Sequence, residues 1–217
     1  MLTESEARES VVYLARTIFE RGLTPGSSAN MSVRIEGGFI ITPTNSCFGF
    51  LKEHELSRLD SEGKHVDGPK PSKEFVLHKA MYDKRPNDGA IVHLHSTYAT
   101  LVSCFAELDP KNAVLPLTPY LLMRLGRVAT IPYFPPGDVR LADELALVAD
   151  CHAGVLMENH GPIVSADSPE GAVYSMEELE ESCKLMVLSQ GLRVRPFTPD
   201  QIRELAGKYG SRNAPQC

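Results

Sequence analysis

Apolar positions along the chain recur with helical or strand periodicity, segment by segment. Val11, Leu14, Ala15, Ile18 and Phe19 recur at helical spacing and form one face of an amphipathic helix. Thr3 with Glu6 makes a capping box in front of it, and Gly22 stops it. Met31 to Ile35 and Phe39 to Thr42 read as a hairpin around Gly37-Gly38, followed by a loop with Pro43, Asn45 and Gly49. Ser72 is placed to cap a helix carrying Phe75, Val76, Leu77, Ala80 and Met81, which ends before Pro86. A buried strand from Ala90 to His95 follows, then a helix from Thr97 to Ala106.

Val128 to Ile131 and Ala153 to Met157 read as strands, with a helix capped by Asp138 between them and a short strand at Ile163-Val164. Ser168 and Pro169 open a long helix to Gln190 that stops at Gly191, and its acidic run Glu177 to Glu181 reads mostly as a solvated face. Strands interleaved with helices predict an α/β fold: a three-layer α/β/α sandwich around a mixed or antiparallel central sheet. No linker or repeat divides the 217 residues, so one domain over 1–217 is expected.

Composition narrows the chemistry. With 42% apolar and 23% charged residues the chain has a real core, and a net charge of -6 without a basic cluster argues against a nucleic-acid partner. No apolar run is long enough for a transmembrane helix, and the acidic start Met1 to Glu6 is unlike a signal peptide. The cysteines at 47, 104, 151, 183 and 217 are scattered and never in a CxxC pair, so disulfides are not expected and a reducing cytoplasm fits.

Against that background the histidines stand out. His93 and His95 lie two apart on a predicted strand, so both imidazoles share a face, a clamp for a divalent metal. A lone pair of this kind also fits hydrogen-bonded core histidines. His160, between Asn159 and Gly161 at another strand end, adds a third nitrogen and leaves a coordination position open, the catalytic pattern for zinc or another transition metal. His54, His65, His78 and His152 lack such spacing and read as surface residues or as neighbours of the ligands. Glu74 reads either as a carboxylate favoured by a helix start or as a metal-reaching acid/base. Three loops are suited to an anion: Gly26 to Asn30, which includes Ser28; Thr42 to Ser46, which includes Thr44 and Asn45; and Ser72-Lys73. Neither GxGxxG nor GxxxxGK[ST] occurs, which argues against a nucleotide.

Five segments carry a family resemblance: Gly22-Leu23…Gly26…Asn30-Met31-Ser32-Val33-Arg34, Thr42-Pro43-Thr44, Lys70-Pro71-Ser72-Lys73-Glu74, His93-Leu94-His95-Ser96 and Asn159-His160-Gly161. Together they resemble the class II aldolase/adducin family over nearly the whole chain. The resemblance implies an α/β/α sandwich and a homotetramer with active sites between subunits. It implies zinc on His93, His95 and His160, with Glu74 as acid/base and ligand of the resting site. It also implies that Asn30, Thr44, Asn45 and Ser72 surround a substrate phosphate.

Within the family, Leu23 to Ser28, Leu56-Ser57-Arg58-Leu59-Asp60, Pro116 to Tyr120 and Tyr133 to Asp138 resemble the branch that decarboxylates 3-oxo-tetronate 4-phosphates. Ala29 stands where the family often has glycine, and Lys73 where fuculose-phosphate-type aldolases commonly have a second serine. The proton-donating tyrosine of those aldolases has no clear counterpart. The branch implies loss of CO2 from a four-carbon sugar acid through an enediolate, giving dihydroxyacetone phosphate. Lys73 is then expected to pair with phosphate or carboxylate, the alternative being a solvated lysine. Tyr120, Arg124 and Tyr133 are weaker candidates for the carboxylate end, the alternative being packing. A sugar-phosphate aldolase or epimerase and a non-catalytic adducin-like module are the rival readings.

Overall fold

The computed structural model describes residues 1–209; residues 210–217, Cys217 among them, lie outside the described residues. In chain order the elements are α1 (Glu4–Glu20), β1 (Asn30–Ile35), β2 (Gly38–Ile41), β3 (Ser57–Asp60), β4 (His65–Asp67), α2 (Phe75–Lys84), β5 (Ala90–His93), α3 (Thr97–Ser103), α4 (Pro119–Arg124), β6 (Ala129–Ile131), α5 (Val139–Ala149), β7 (Gly154–Met157), β8 (Gly161–Ala166), α6 (Pro169–Leu188) and α7 (Pro199–Tyr209). The strands form one sheet in the order β4-β3-β2-β1-β5-β8-β7-β6. Neighbours are antiparallel except the parallel pair β6 and β7, so the sheet is mixed.

Successive strand residues feed opposite faces, and each face has its own core. Met31, Val33, Ile40 and Val92 pack with Val11, Ile18, Val102, Val173 and Met176 from α1, α3 and α6. Phe39, Ile41, Ile91 and Ile163 pack with Leu77, Met81, Leu141 and Leu145 from α2 and α5. Helices on both faces of one sheet make the expected three-layer α/β/α sandwich. The central strands β1, β5 and β8 are covered on both sides; β5 and β8 carry short apolar runs, while β1 alternates, with Asn30, Ser32 and Arg34 on the α2 face.

Local signals set several boundaries as anticipated. The Thr3–Glu6 capping box is formed, Asp138 and Ser168 cap α5 and α6, and Gly22 takes a φ of 71° after α1. Others differ. Ser72 does not cap α2; its hydroxyl accepts the Glu74 N–H at 3.3 Å in the turn before the helix starts at Phe75. β5 ends at His93, α3 ends at Ser103, and β8 is longer than Ile163-Val164. β3, β4, α4 and α7 were not anticipated. β3 buries Ser57 where a strand pattern calls for an apolar residue, and β4 is exposed throughout. Among the described residues Cys47, Cys104 and Cys183 are free thiols, as expected. No helix of the described residues is long and apolar enough to cross a membrane.

Candidate metal centre and active site

His93 closes β5 on the face shared with Ile91, the face covered by α2. Its Nδ1–H donates to the Pro162 carbonyl at 2.8 Å, which leaves Nε2 bare as a ligand lone pair. His95 follows just past the strand and brings its Nε2 to 3.1 Å from His93 Nε2. His160 arrives from the turn between β7 and β8. Asn159 takes a φ of 53° there, and Gly161 a φ of 136°. A Cβ at Gly161 would stand 2.7 Å from the Leu94 carbonyl oxygen and 3.1 Å from Thr100 Oγ1, so only glycine lets this turn close onto the His95 segment.

The three rings are mutually edge-on with centroids 5.0 Å apart, and one nitrogen from each lies within 4.8 Å of the others. Glu74, one residue ahead of α2, completes the group: Oε2 lies 3.6 Å from His93 Nε2, and Oε1 lies 3.4 Å from His160 Nε2. Ligands held at about 2.0–2.1 Å around a tetrahedral ion stand roughly 3.3–3.4 Å apart, so these separations suit a single cation. Both His160 nitrogens are buried without a hydrogen-bond partner. Such an imidazole is costly unless something else binds it, and this fits a metal rather than a core hydrogen-bond role.

The electrostatics agree. Burial pushes His93 down to about 3 against the attraction of Glu74, and burial with the nearby His160 lowers His95. Neutral imidazoles are the form that binds metal. Burial alone pushes the Glu74 carboxyl up, but contact with His160, attraction from His93 and His160, and the Asn30 amide outweigh it and hold it below the usual carboxylate range.

Above this group lies a cavity of about 190 Å³, and most of the sequence candidates meet there. Ser28 and Asn30 come from the loop into β1. Thr44 and Asn45 come from the loop after β2. Ser72, Lys73 and Glu74 form the entry to α2, with His95 and His160 beside them. Two loops distant in sequence are joined by an antiparallel bridge between Pro43 and Pro71, with Thr44 N–H donating to Lys70 O at 3.0 Å and Ser72 N–H to Thr42 O at 3.2 Å. Lys73 lays its stem 3.6 Å from where a Gly137 Cβ would stand, and Pro136 of the same loop also borders the cavity.

Three candidates are not brought here. Tyr120 and Arg124 line a separate cavity of about 640 Å³ with Arg21, Tyr174 and Glu177, because α4 packs against α6 and α7 on the other side of the sheet. Arg124 stacks on Tyr174 at 5.4 Å. Tyr133 is exposed on the loop before Pro136 and does not line the cavity. Asn30 is placed differently from a simple phosphate ligand: its amide donates to Glu74 Oε2 at 2.8 Å, and its carbonyl oxygen lies 2.5 Å from His78 Nε2.

Sequence reasoning did not single out two supporting groups. His78, read as a surface residue or a neighbour of the ligands, is the second of these: it is fully buried behind Glu74, four residues on. Glu180 belongs to the acidic run but is buried, and takes hydrogen bonds from Ser96 Oγ and from the N–H groups of Tyr98 and Ala99 at the start of α3. Its signal was helical spacing with buried Val173, Met176 and Cys183. His152 is buried too, but far from the ligands, with its ring against Val148 O and Lys111 O.

Residues 9–187 match the family model described as the class II aldolase and adducin N-terminal domain. A Haemophilus influenzae protein named 3-oxo-tetronate 4-phosphate decarboxylase is 43% identical, over 95% of this chain and 99% of that one. A Methanocaldococcus jannaschii L-fuculose phosphate aldolase is 32% identical over 84% and 96%. The crystal structure of YgbL from Klebsiella pneumoniae superposes with a TM-score of 0.92 at 41% identity, covering 94% of this chain and 100% of that one. With its fold, its histidine cluster and these matches in agreement, the chain belongs to the class II aldolase and adducin N-terminal domain family.

Proposed function

We propose that this protein is a metal-dependent carbon–carbon lyase that decarboxylates a 3-oxo-tetronate 4-phosphate to dihydroxyacetone phosphate and CO2. The observation that carries the reading is the convergence of His93, His95, His160 and Glu74 on the floor of a cavity walled by small polar side chains. The relatives named decarboxylases, at 37–43% identity over nearly the full length, support it.

The three histidines would hold the ion, zinc in this reading, with Glu74 as a further ligand at rest. Once bound, it supplies a Lewis acid that favours negative charge developing on substrate oxygens. Ser28, Thr44, Asn45 and Ser72 surround the phosphate with hydroxyls and an amide, and the second amide hydrogen of Asn30 remains for the substrate. Lys73 adds the cationic charge that the phosphate or carboxylate requires. In the reaction the C1–C2 bond breaks as CO2 leaves, its electron pair moves toward the C3 oxygen, and C2 takes up a proton. Glu74 is the acid that delivers this proton, having taken it from solvent in the cavity. The same reading has the chain working in the cytoplasm as a homotetramer.

Trapping released CO2 while a coupled reductase reports dihydroxyacetone phosphate tests the proposal directly. Stoichiometric appearance of both, abolished by a chelator, is expected. Release of an aldehyde from a ketose phosphate without CO2 would instead favour the aldolase reading, which the relatives named L-fuculose phosphate aldolase support at lower identity. An adducin-like module without catalysis is disfavoured because all three histidines and Glu74 are present and assembled.

A further inference from the structure

Behind Glu74 and Asn30 lie three buried polar groups, His78, Ser32 and Tyr82, that the chemistry above does not use. Glu74 Oε2 accepts from Asn30 Nδ2 at 2.8 Å, and Asn30 Oδ1 lies 2.5 Å from His78 Nε2. His78 Nδ1 lies 2.6 Å from the Ser32 hydroxyl. The Tyr82 hydroxyl is 3.0 Å from Ser32 Oγ and 3.1 Å from the Ser32 carbonyl oxygen. The row follows from two periodicities: Asn30 and Ser32 share a face of β1, while His78 and Tyr82 lie one turn apart on α2.

The polarity of this chain has one solution. An ionised carboxylate only accepts, so the Asn30 amide nitrogen must face Glu74 and its oxygen must face His78. That oxygen needs a proton on His78 Nε2. The neutral ring then has a bare Nδ1, which accepts from the Ser32 hydroxyl, and Tyr82 donates its one hydroxyl hydrogen to the Ser32 carbonyl oxygen. Burial pushes His78 down to about 3, against the attraction of Glu74, so the ring is neutral near pH 7.

We infer that His78, with Ser32 and Tyr82 behind it, positions the catalytic carboxylate by fixing the Asn30 amide in the single orientation that donates to Glu74. The inference rests on the proposed role of Glu74. The two ends of an asparagine amide are almost the same size, so sterics alone do not choose between them. Turned over, the amide would set its carbonyl oxygen against the carboxylate and drive it from its place. The ionised carboxylate selects the nitrogen end, and the N–H of His78 holds the oxygen end, so the two partners fix the same orientation from opposite sides. A donor at this point is needed whether or not any substrate is bound, so the network can be read without turnover.

The test uses full-length, metal-loaded protein and compares His78→Gln, which keeps an N–H near the Nε2 position, with His78→Leu, which does not. H78Q is expected to keep kcat for CO2 release within about threefold, while H78L loses roughly 30- to 100-fold, the scale of a small misplacement of a catalytic group. In H78L the metal content stays near wild type, because the three histidines are untouched, while kcat falls, a split that a general loss of folding would not give. Long-range proton–nitrogen spectra of the wild-type protein should show His78 as the Nε2–H tautomer, and the Asn30 side-chain amide signals should shift in H78L. An Nδ1–H tautomer, unchanged Asn30 signals, wild-type kcat in metal-loaded H78L, or equal losses in both variants would overturn the inference. If the wild-type protein releases no CO2, the functional reading fails alone, because the tautomer and the Asn30 signals still decide whether His78 sets the amide. The wild-type tautomer also decides it if H78L does not fold.

Discussion

The Glu180 carboxylate accepts the Ser96 hydroxyl at 2.7 Å, one residue beyond His95. The same carboxylate takes the Tyr98 and Ala99 N–H groups at 2.8 Å each, so a side chain of α6 anchors the start of α3 and, through it, the segment bearing His95. Glu180→Ala leaves these donors without a partner in a buried place. A loss of about 2–4 kcal/mol in urea unfolding is expected, together with weaker metal retention. Stability within error of wild type would show that the carboxylate is not the anchor.

Glu74→Gln preserves shape and leaves the three imidazoles in place. Its metal content, measured by atomic emission, should stay near wild type while kcat falls by about 10²–10⁴-fold, the range for a lost general acid. Undiminished turnover would remove Glu74 from its proposed role.

His160→Ala separates metal binding from folding. The variant loses the 3.4 Å contact with Glu74 and the packing of a buried ring, so the metal-free variant should melt somewhat below the metal-free parent while staying folded. After loading and dialysis, however, it should lose ion and activity together. Retention of both would break the ligand assignment.

Gly161→Ala sets a Cβ 2.7 Å from the Leu94 carbonyl oxygen at a φ of 136°. Strain of about 1–3 kcal/mol from the backbone conformation alone, with the clash added, should lower the melting temperature and displace His160. Calorimetry with metal titration reads both effects, and a variant with wild-type values in each contradicts the turn geometry.

Acid sensitivity follows from His78. Its folded pKa of about 3 lies below the ordinary histidine value, so below about pH 6.5 the unfolded chain binds a proton that the folded chain refuses. The stability this ring contributes is therefore complete above the unfolded value and lost as pH falls toward the folded one. At pH 5 the loss is about 2 kcal/mol. His78→Gln should flatten the stability–pH curve by about one proton across that window, as followed by urea titrations at several pH values.

Much of the fold was legible because its central strands are covered on both sides and its helices carry explicit caps. Thr3, Asp138, Ser168 and the Val11 to Phe19 stripe each state their element locally. β3 and β4 did not, because the edge strand β4 and its neighbour β3, with Ser57, Arg58 and His65, lack the apolar alternation that marks a half-buried strand. α4 did not either, although Thr118 and Pro119 form a cap and first-turn pair, because the helix is short and follows a proline-rich stretch. At the site, the residues that meet in the cavity were visible as motifs. Those behind it were hidden, since a histidine on a helix face and a glutamate in an acidic run become distinctive only once packing shows what they touch. Tyr120 and Arg124 failed in the opposite sense: residue type suggested an anion site, but helix packing carried them to another cavity.

The cluster draws on parts of the chain that lie far apart in sequence: the entry to α2, the end of β5 and the turn into β8. A cation bound by all of them would act as a stitch between the two halves of the sheet, present in the native state and absent from the unfolded one. Scarcity of the ion would then do more than idle the enzyme. It would loosen the seam between strands, expose the chain to proteases and let cellular metal supply set how many copies survive.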